Sequence, residues 1–360
     1  MKNAAISFKL SDLIASPASP AARLIQLIAL LSGIVNIWYQ ILFWIPSNWH
    51  RIDHDRDMAI YYEAAMRMHS GQPVYHTLTN VDGPWRTPQW YLYPPYLAAS
   101  LTPFCGHYTL FCHVWYSLLI AAYWTFAYFL ARVSVGRPSL TGTVVWGLVI
   151  ALTPGAYRDM SLGNVDAMLW ALFAGAMFLG GNQTLLMLMS LVKPYAIVPW
   201  LVYAVRRGKM RSTGSSVLLL AVATAAAIAV GGMGAFETWV TRATPLVGQG
   251  TFDPANWSLS FLPLRVAHGL HLWRYHDGPL GRWPRAYLTL MSIAGPAAAV
   301  YFTRRMSADA RAVTLFLVTM LFAPLCWGMY LIYAYVPIAV LLRDATSSTP
   351  GRLREGEGVG

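Results

Sequence analysis

Long apolar runs separated by short polar breaks make up most of the chain between residues 22 and 342. A run of roughly 20 apolar residues forms a helix long enough to cross the hydrocarbon core of a membrane. The pattern therefore predicts an all-α polytopic membrane protein with about ten spans. The predicted spans are 22–46, which is typical of a retained signal-anchor, 108–131, 140–156, 165–181, 184–205 as two short helices, 213–233, 286–303, 312–326 and 328–342.

Basic residues give these spans an orientation. Lys and Arg collect in cytoplasmic loops, and they precede the first run at Lys2 and Lys9 and form the sequence RRGK at 206–209. The protein is therefore predicted to lie in the plasma membrane with both termini in the cytoplasm. Residues 47–107 and 234–284 are predicted to lie on the outer face. Residues 1–343 are predicted to form one transmembrane domain, and 344–360 a disordered cytoplasmic tail.

Two segments need a more detailed interpretation. The run 90–104 is apolar, but it is short and contains prolines, so we predict a helix at the outer membrane surface. If the run 184–205 crossed the membrane once, residues 179–183 would lie outside, which conflicts with the distribution of Lys and Arg. We therefore predict two short helices with a hinge at Lys193-Pro194. Residues 157–164 are predicted to be a second outer loop.

Composition agrees with this topology. The chain is 56% hydrophobic and 11% charged, whereas soluble domains carry about 25% charged residues. We interpret the net charge of +11 as cytoplasmic-loop Lys and Arg, and not as a nucleic-acid surface. The three cysteines show no disulfide or metal-binding spacing. The histidines are scattered and the sequence has no Gly-rich phosphate loop, so neither metal nor cofactor is expected.

The predicted topology brings polar residues from distant parts of the chain to the outer face. Ionisable groups at a membrane edge are functional candidates by default. These residues are Asp53, Asp55, Asp57, Arg158, Asp159, Asn164, Lys193, Asn256 and Trp327.

Each charged candidate also has a structural interpretation. Asp57 precedes a helix-like run, where it either caps the helix or accepts the proton of an incoming hydroxyl. Asp53 and Asp55 can pair with neighbouring arginines. Lys193 either extends to the membrane surface or meets an anion. Arg158 and Asp159 can pair with each other.

Five segments in order resemble glycosyltransferase family 87. The first combines DMAIYYEAAMRMHSGQPVY with YLYPPYLAASLTPF, and the others are LGNVDAMLWAL, LVKPYAIVPWLVYAVRRGK, NWSLSFLPLR and APLCWGMYLIYAYVP. The resemblance covers about residues 50–340. In the first segment the motif residues are Asp57, Tyr61, Gly71, Tyr75, Tyr93, Pro94 and Pro95.

The resemblance implies a GT-C fold with its active site on the outer face. It also implies inverting transfer of a sugar, mannose in the known family, from a polyprenyl-phosphate donor to a lipid- or glycan-type acceptor. The expected partners are these substrates and membrane lipid, with no nucleic acid. Asp57 matches the general base and Lys193 a lysine near the carrier phosphate, where Arg158 can add charge. The predicted pocket residues are Asp55, Tyr61, Tyr93, Asn164, Asn256 and Trp327.

Two positions depart from the family pattern. Asn164 replaces a Gln, and Tyr330 lies where a His usually follows Trp327, so Tyr330 would have to hydrogen-bond the phosphate. The donor sugar therefore stays open among mannose, arabinofuranose, glucose and others. The alternatives are an inactive family member and a lipid-linked sugar flippase or transporter, which would place charge near the bilayer midplane.

Overall fold

The computed structural model of the protein describes residues 57–75, 91–135, 140–205, 210–248, 250, 256–273 and 280–340. Within these ranges every regular element is helical, and one isolated β-bridge joins Asn256 to Trp327. The predicted all-α class is thereby confirmed for the described residues. The first predicted span, Asp53, Asp55 and the tail 344–360 lie outside these ranges.

The first two helices come from the predicted outer loop. Helix α1 (Asp57–His69) buries Met58 and Tyr61 on one side and is followed by Gly71 at a φ of +68°. Helix α2 (Pro95–Leu101) begins with a proline, whose fixed φ suits a first helical turn. The two helices pack against each other, so the predicted helix in 90–104 is confirmed.

The remaining helices follow in the order of the apolar runs. They are α3 (Tyr108–Val135), α4 (Leu140–Ala151), α5 (Pro154–Leu162), α6 (Asp166–Phe178), α7 (Gln183–Val192), α8 (Ile197–Ala204), α9 (Met210–Gly231), α10 (Met233–Thr238), α11 (Thr244–Val247), α12 (Leu262–Gly269), α13 (Arg282–Phe302) and α14 (Ala308–Phe322). Short 3-10 turns cover Thr102–Phe104, Pro194–Ala196 and Gly328–Ala334.

Two of the described helices are long and apolar enough to cross a membrane, namely Tyr108–Ser134 and Met210–Gly231. The pair α4 and α5 passes the same test together but is bent by 83°, which gives a possible third span. The chain therefore has the character of a membrane protein. The count of ten spans, the orientation and the GT-C fold stay predictions.

The predicted loop at 157–164 was wrong, because α5 continues to Leu162. Pro154 ends α4 and starts α5, since a proline disfavours helical geometry in the residue before it but fits a first turn. The bend thus divides what would be one long helix into two, and it places the end of α5 beside the start of α1.

The predicted break at Lys193-Pro194 is confirmed. Helix α7 ends at Val192, Lys193 is extended (φ −124°, ψ 101°), and α8 begins after one 3-10 turn. The restriction that Pro194 places on the preceding residue explains the extended backbone of Lys193. The break directs the Lys193 side chain into the protein, where it is 4% exposed.

Aromatic side chains hold the C-terminal segment against the central helices. The ring centroid of Phe173 on α6 lies 4.3 Å from that of Phe316 on α14. The ring centroids of Phe316 and Tyr333 lie 5.1 Å apart. Residues 328–334 pack on α5 and α6. This packing brings Tyr330 and Tyr333 close to the hinge at Lys193.

Gly163 closes α5 in a Schellman motif. Its φ is +66°, its N–H donates to the Met160 carbonyl, and the N–H of Asn164 donates to that of Asp159. A Cβ at this position would lie 2.8 Å from the Cβ of Met58. Glycine is therefore required both by the left-handed backbone and by the close approach of α5 to α1.

Replacing Gly163 by Ala is expected to destabilise the fold more than replacing Gly71 by Ala. Both changes place a side chain at positive φ, which costs roughly 1–2 kcal/mol. Only Gly163→Ala adds overpacking, typically about 1–3 kcal/mol, because the space around Gly71 is open. Thermal unfolding in detergent measures the difference. Equal losses in the two variants would show that the α1–α5 contact yields easily.

Candidate active site

Asp57 and Asn164 meet across α1 and α5. Asp57 lies partly buried in the first turn of α1, and its Oδ2 accepts a hydrogen bond of 2.5 Å from Asn164 Nδ2. The other end of the same amide, Asn164 Oδ1, accepts the backbone N–H of Asp166 at 3.1 Å. The first of these contacts joins residues that are 107 positions apart in the chain.

Burial raises the pKa of Asp57 to about 6. The hydrogen bond from Asn164 opposes this rise, Asp166 adds to it by repulsion, and Lys193 and Arg158 lower the pKa by attraction. Asp57 is consequently ionised at neutral pH but more basic than an ordinary aspartate. Such a pKa suits a general base that works near pH 7.

Lys193 is buried in an ion pair with Asp166, at the N-terminus of α6. Its Nζ lies 2.6 Å from Oδ1 and 2.7 Å from Oδ2 of Asp166, and the Tyr333 hydroxyl donates to Oδ1 at 3.2 Å. The Nζ of Lys193 lies 3.7 Å from the ring centroid of Tyr330 and 5.9 Å from that of Tyr93. Lys193 thus does not extend to the surface of the protein, and it does meet an anion.

The tyrosines of the first motif segment form one hydrogen-bonded group. The Tyr61 hydroxyl donates to that of Tyr93 at 3.0 Å, and the Tyr75 hydroxyl donates to the Tyr93 carbonyl at 2.7 Å. Burial raises the pKa of both Tyr61 and Tyr93, so the two phenols are neutral. These hydrogen bonds hold Tyr93 in the position where its ring lies near Lys193.

Tyr91, which the sequence did not single out, fixes the turn at Pro94. Its hydroxyl donates to the Pro94 carbonyl at 2.8 Å and accepts the N–H of Ala98 at 2.9 Å. Both of these partners belong to the start of α2.

Asn256 and Trp327, both predicted as pocket residues, are brought together, but the Asn256 side chain bonds backbone. Its Oδ1 accepts the N–H groups of Cys326 (2.9 Å) and Ser258 (3.2 Å), and its Nδ2 donates to the Pro324 carbonyl (3.1 Å). Asn256 thus anchors the segment that leads to Tyr330. This geometry supports a structural role for a fully buried side chain.

Arg158 and Asp159 do not form the pair that their adjacency suggested. Arg158 is exposed, whereas Asp159 is fully buried, and its carboxylate oxygens have no hydrogen-bond partner of normal geometry in the described part of the chain. The favourable groups near Asp159 are Lys193 and the N–H of Ala167. Three aspartates thus lie close to Lys193, although no described group of His, Cys, Asp or Glu is arranged to hold a metal ion.

The structure therefore assembles Asp57, Tyr61, Tyr93, Asn164, Lys193 and Tyr330 from the predicted set, with Arg158 exposed nearby. Asp55 lies outside the described ranges. Sequence reasoning missed Asp166 and Tyr333, and it named Asp159 as an outer-face candidate but gave it no role except as a partner for Arg158. Asp166 lies two residues after Asn164 in the motif segment LGNVDAMLWAL, and this position could have indicated that it belongs to the site.

Residues 91–328 match the family model of glycosyltransferase family 87. The match covers the Tyr-Pro-Pro sequence, the next three motif segments and the first residues of the last one. Asp57, Tyr61, Gly71 and Tyr75 precede it, and Tyr330 follows it. The family predicted from those motifs is confirmed. No curated protein matches the chain, and no solved structure does.

Proposed function

The chain belongs to glycosyltransferase family 87, and from this membership and the site around Asp57 we propose that the protein is a membrane glycosyltransferase whose donor is a polyprenyl-phosphate sugar. Membership supports glycosyl transfer. The carrier-linked donor, the inverting course and the role of Asp57 as base are the proposal. The favoured sugar is mannose, and the acceptor is a hydroxyl of a lipid or glycan on the outer face of the cell membrane.

The observation that carries the proposal is the setting of Asp57. Its carboxylate lies in the first turn of α1, its pKa is raised to about 6, and one oxygen accepts a hydrogen bond from Asn164. A single ionised carboxylate is enough to activate a hydroxyl for in-line attack. Asp57 precedes the residues matched by the family model, so its role rests on this geometry and on its motif.

The acceptor hydroxyl gives its proton to Oδ1 of Asp57 while the acceptor oxygen attacks the anomeric carbon of the donor sugar. The bond from that carbon to the phosphate oxygen breaks on the opposite side, and polyprenyl phosphate leaves with the bonding electron pair. The anomeric configuration is inverted because attack and departure lie on opposite faces of the sugar.

The leaving phosphate needs positive charge close to Asp57. Lys193 and Arg158 are both near enough to stabilise ionised Asp57. Lys193 donates a hydrogen bond to Oδ2 of Asp166 and lies 2.6 Å from Oδ1. Because an ammonium group has three N–H donors, Lys193 can also donate to a phosphate oxygen. Arg158, which is exposed, adds a second cation with a forked geometry that suits phosphate. Tyr330 can donate from its hydroxyl at the same place.

Transfer from purified donors tests the proposal. Membranes that contain the protein are incubated with radiolabelled polyprenyl-phosphate mannose, and in separate reactions with the glucose and arabinofuranose carriers and with nucleotide sugars. Label from a carrier-linked sugar is expected in the extracted lipid or glycan fraction, and mannose is expected to be the preferred sugar. Transfer from nucleotide sugars alone would overturn the donor class. Carrier binding without any transfer would instead indicate an inactive member or a flippase.

A further inference from the structure

The amide of Asn164 is held at both ends, which fixes its orientation. Its oxygen faces the N–H of Asp166, so its NH₂ group must face Asp57. The opposite orientation would place two oxygens against each other and two N–H groups against each other. The backbone N–H of Asp166, at the start of α6, therefore determines that Asp57 faces the NH₂ group of Asn164 and not its oxygen.

From this geometry we propose that Asn164 is a positioning residue for Asp57, and that the Asp166 N–H sets the orientation of its amide. The inference rests on the proposed role of Asp57 as base. The Asn164 hydrogen bond occupies Oδ2 of Asp57, which leaves Oδ1 to receive the acceptor proton. Gly163 brings Asn164 to this place through the Schellman turn.

Asn164 also changes how readily Asp57 ionises. Its N–H favours the charged carboxylate, so loss of this donor raises the pKa of Asp57. The other groups that act electrostatically on Asp57 or face it come from α1, α5, α6, the hinge at Lys193, the segment before α2 and the 3-10 turn Gly328–Ala334. They are Tyr61, Tyr93, Arg158, Asp159, Asp166, Lys193 and Tyr330.

The test compares Asn164→Ala and Asn164→Asp by the pH dependence of kcat/KM for sugar transfer. In Asn164→Ala we expect the acid limb to move up by about one pH unit, because a hydrogen bond to the charged carboxylate is lost. At pH 7 about half of the Asp57 carboxylates would then be protonated, so protonation alone is expected to lower kcat/KM about twofold at pH 7 and about tenfold below pH 6. Asn164→Asp keeps an acceptor for the Asp166 N–H but places a second carboxylate on Asp57. Its acid limb is expected to move further in the same direction.

Ser216→Ala is the matched control. Ser216 is fully buried and accepts a hydrogen bond of 2.8 Å from Trp200 Nε1. This variant loses a buried hydrogen bond without touching Asp57, so its acid limb is expected to stay at the wild-type pH. Thermal unfolding of all three variants separates lost protein from a changed site.

The outcomes distinguish the two proposals. If Asp57→Asn is inactive and the acid limb of every folded Asn164 variant stays at the wild-type pH, Asn164 has only a structural role and the inference is wrong. If Asp57→Asn is fully active, the base is assigned wrongly and the role of Asn164 falls with it. Should Asn164→Ala not fold, the limb of Asn164→Asp decides alone.

Discussion

Replacing Asp57 by Asn is expected to lower the rate of sugar transfer about 10²–10⁴-fold, the usual contribution of a general base. Asn is nearly isosteric with Asp and can still accept the hydrogen bond from Asn164 through its oxygen. It cannot take a proton from the acceptor hydroxyl. The fold and donor binding are therefore expected to be retained while transfer is lost.

The measurement is transfer of labelled sugar to an extracted acceptor pool, together with donor binding and thermal unfolding in detergent. Glu63→Gln is the matched control, since Glu63 lies on the same helix but is exposed and paired with Arg67. Asp55→Asn tests the neighbouring acid of the sequence cluster. Near wild-type transfer by Asp57→Asn with no transfer by Asp55→Asn would move the base to Asp55.

Lys193→Ala is expected to abolish transfer and to destabilise the protein. Removing one partner of a buried pair leaves the other charge uncompensated, typically at a cost of about 3–5 kcal/mol. Here the carboxylate left behind is Asp166, which is fully buried and retains only the Tyr333 hydroxyl as a side-chain donor among the described residues. Loss of activity in this variant alone thus does not establish phosphate binding.

The double variant Lys193→Met with Asp166→Asn separates the two roles. It removes both charges and keeps similar volumes, and such replacements of buried pairs are often neutral for stability. The unfolding temperature of this variant is therefore expected to return to that of the wild type. If Lys193 binds the donor phosphate, the KM for the donor stays raised at least about tenfold, because a charged contact is lost. A donor KM equal to that of the wild type would limit Lys193 to holding Asp166.

Local features of this site were predictable because they depend on neighbouring residues. The helix after Asp57 follows from its apolar spacing and the glycine at position 71, and the break at Lys193 follows from Pro194. The bent pair α4–α5 was missed, since the predicted span 140–156 ran through Pro154, where the structure starts a new helix.

The partners within the site were not predictable in the same way. Lys193 pairs with a residue 27 positions away, and Tyr333 reaches Asp166 across 167 positions. Such contacts depend on how helices pack, which apolar periodicity alone does not determine. Asn256 shows the same limit, because its pattern does not reveal whether the amide faces a ligand or, as here, the backbone of 324–326.

The pH dependence of kcat/KM for sugar transfer tests the role of Asp57 most directly. Because the pKa of Asp57 is raised to about 6, the carboxylate is protonated below that pH and cannot accept the acceptor proton. For the wild-type protein the account predicts a rate that rises with pH through an apparent pKa near 6 and then levels off, and this limb is absent from the residual activity of Asp57→Asn. A wild-type rate that is flat between pH 5 and 8, or a limb that persists in Asp57→Asn, would contradict it.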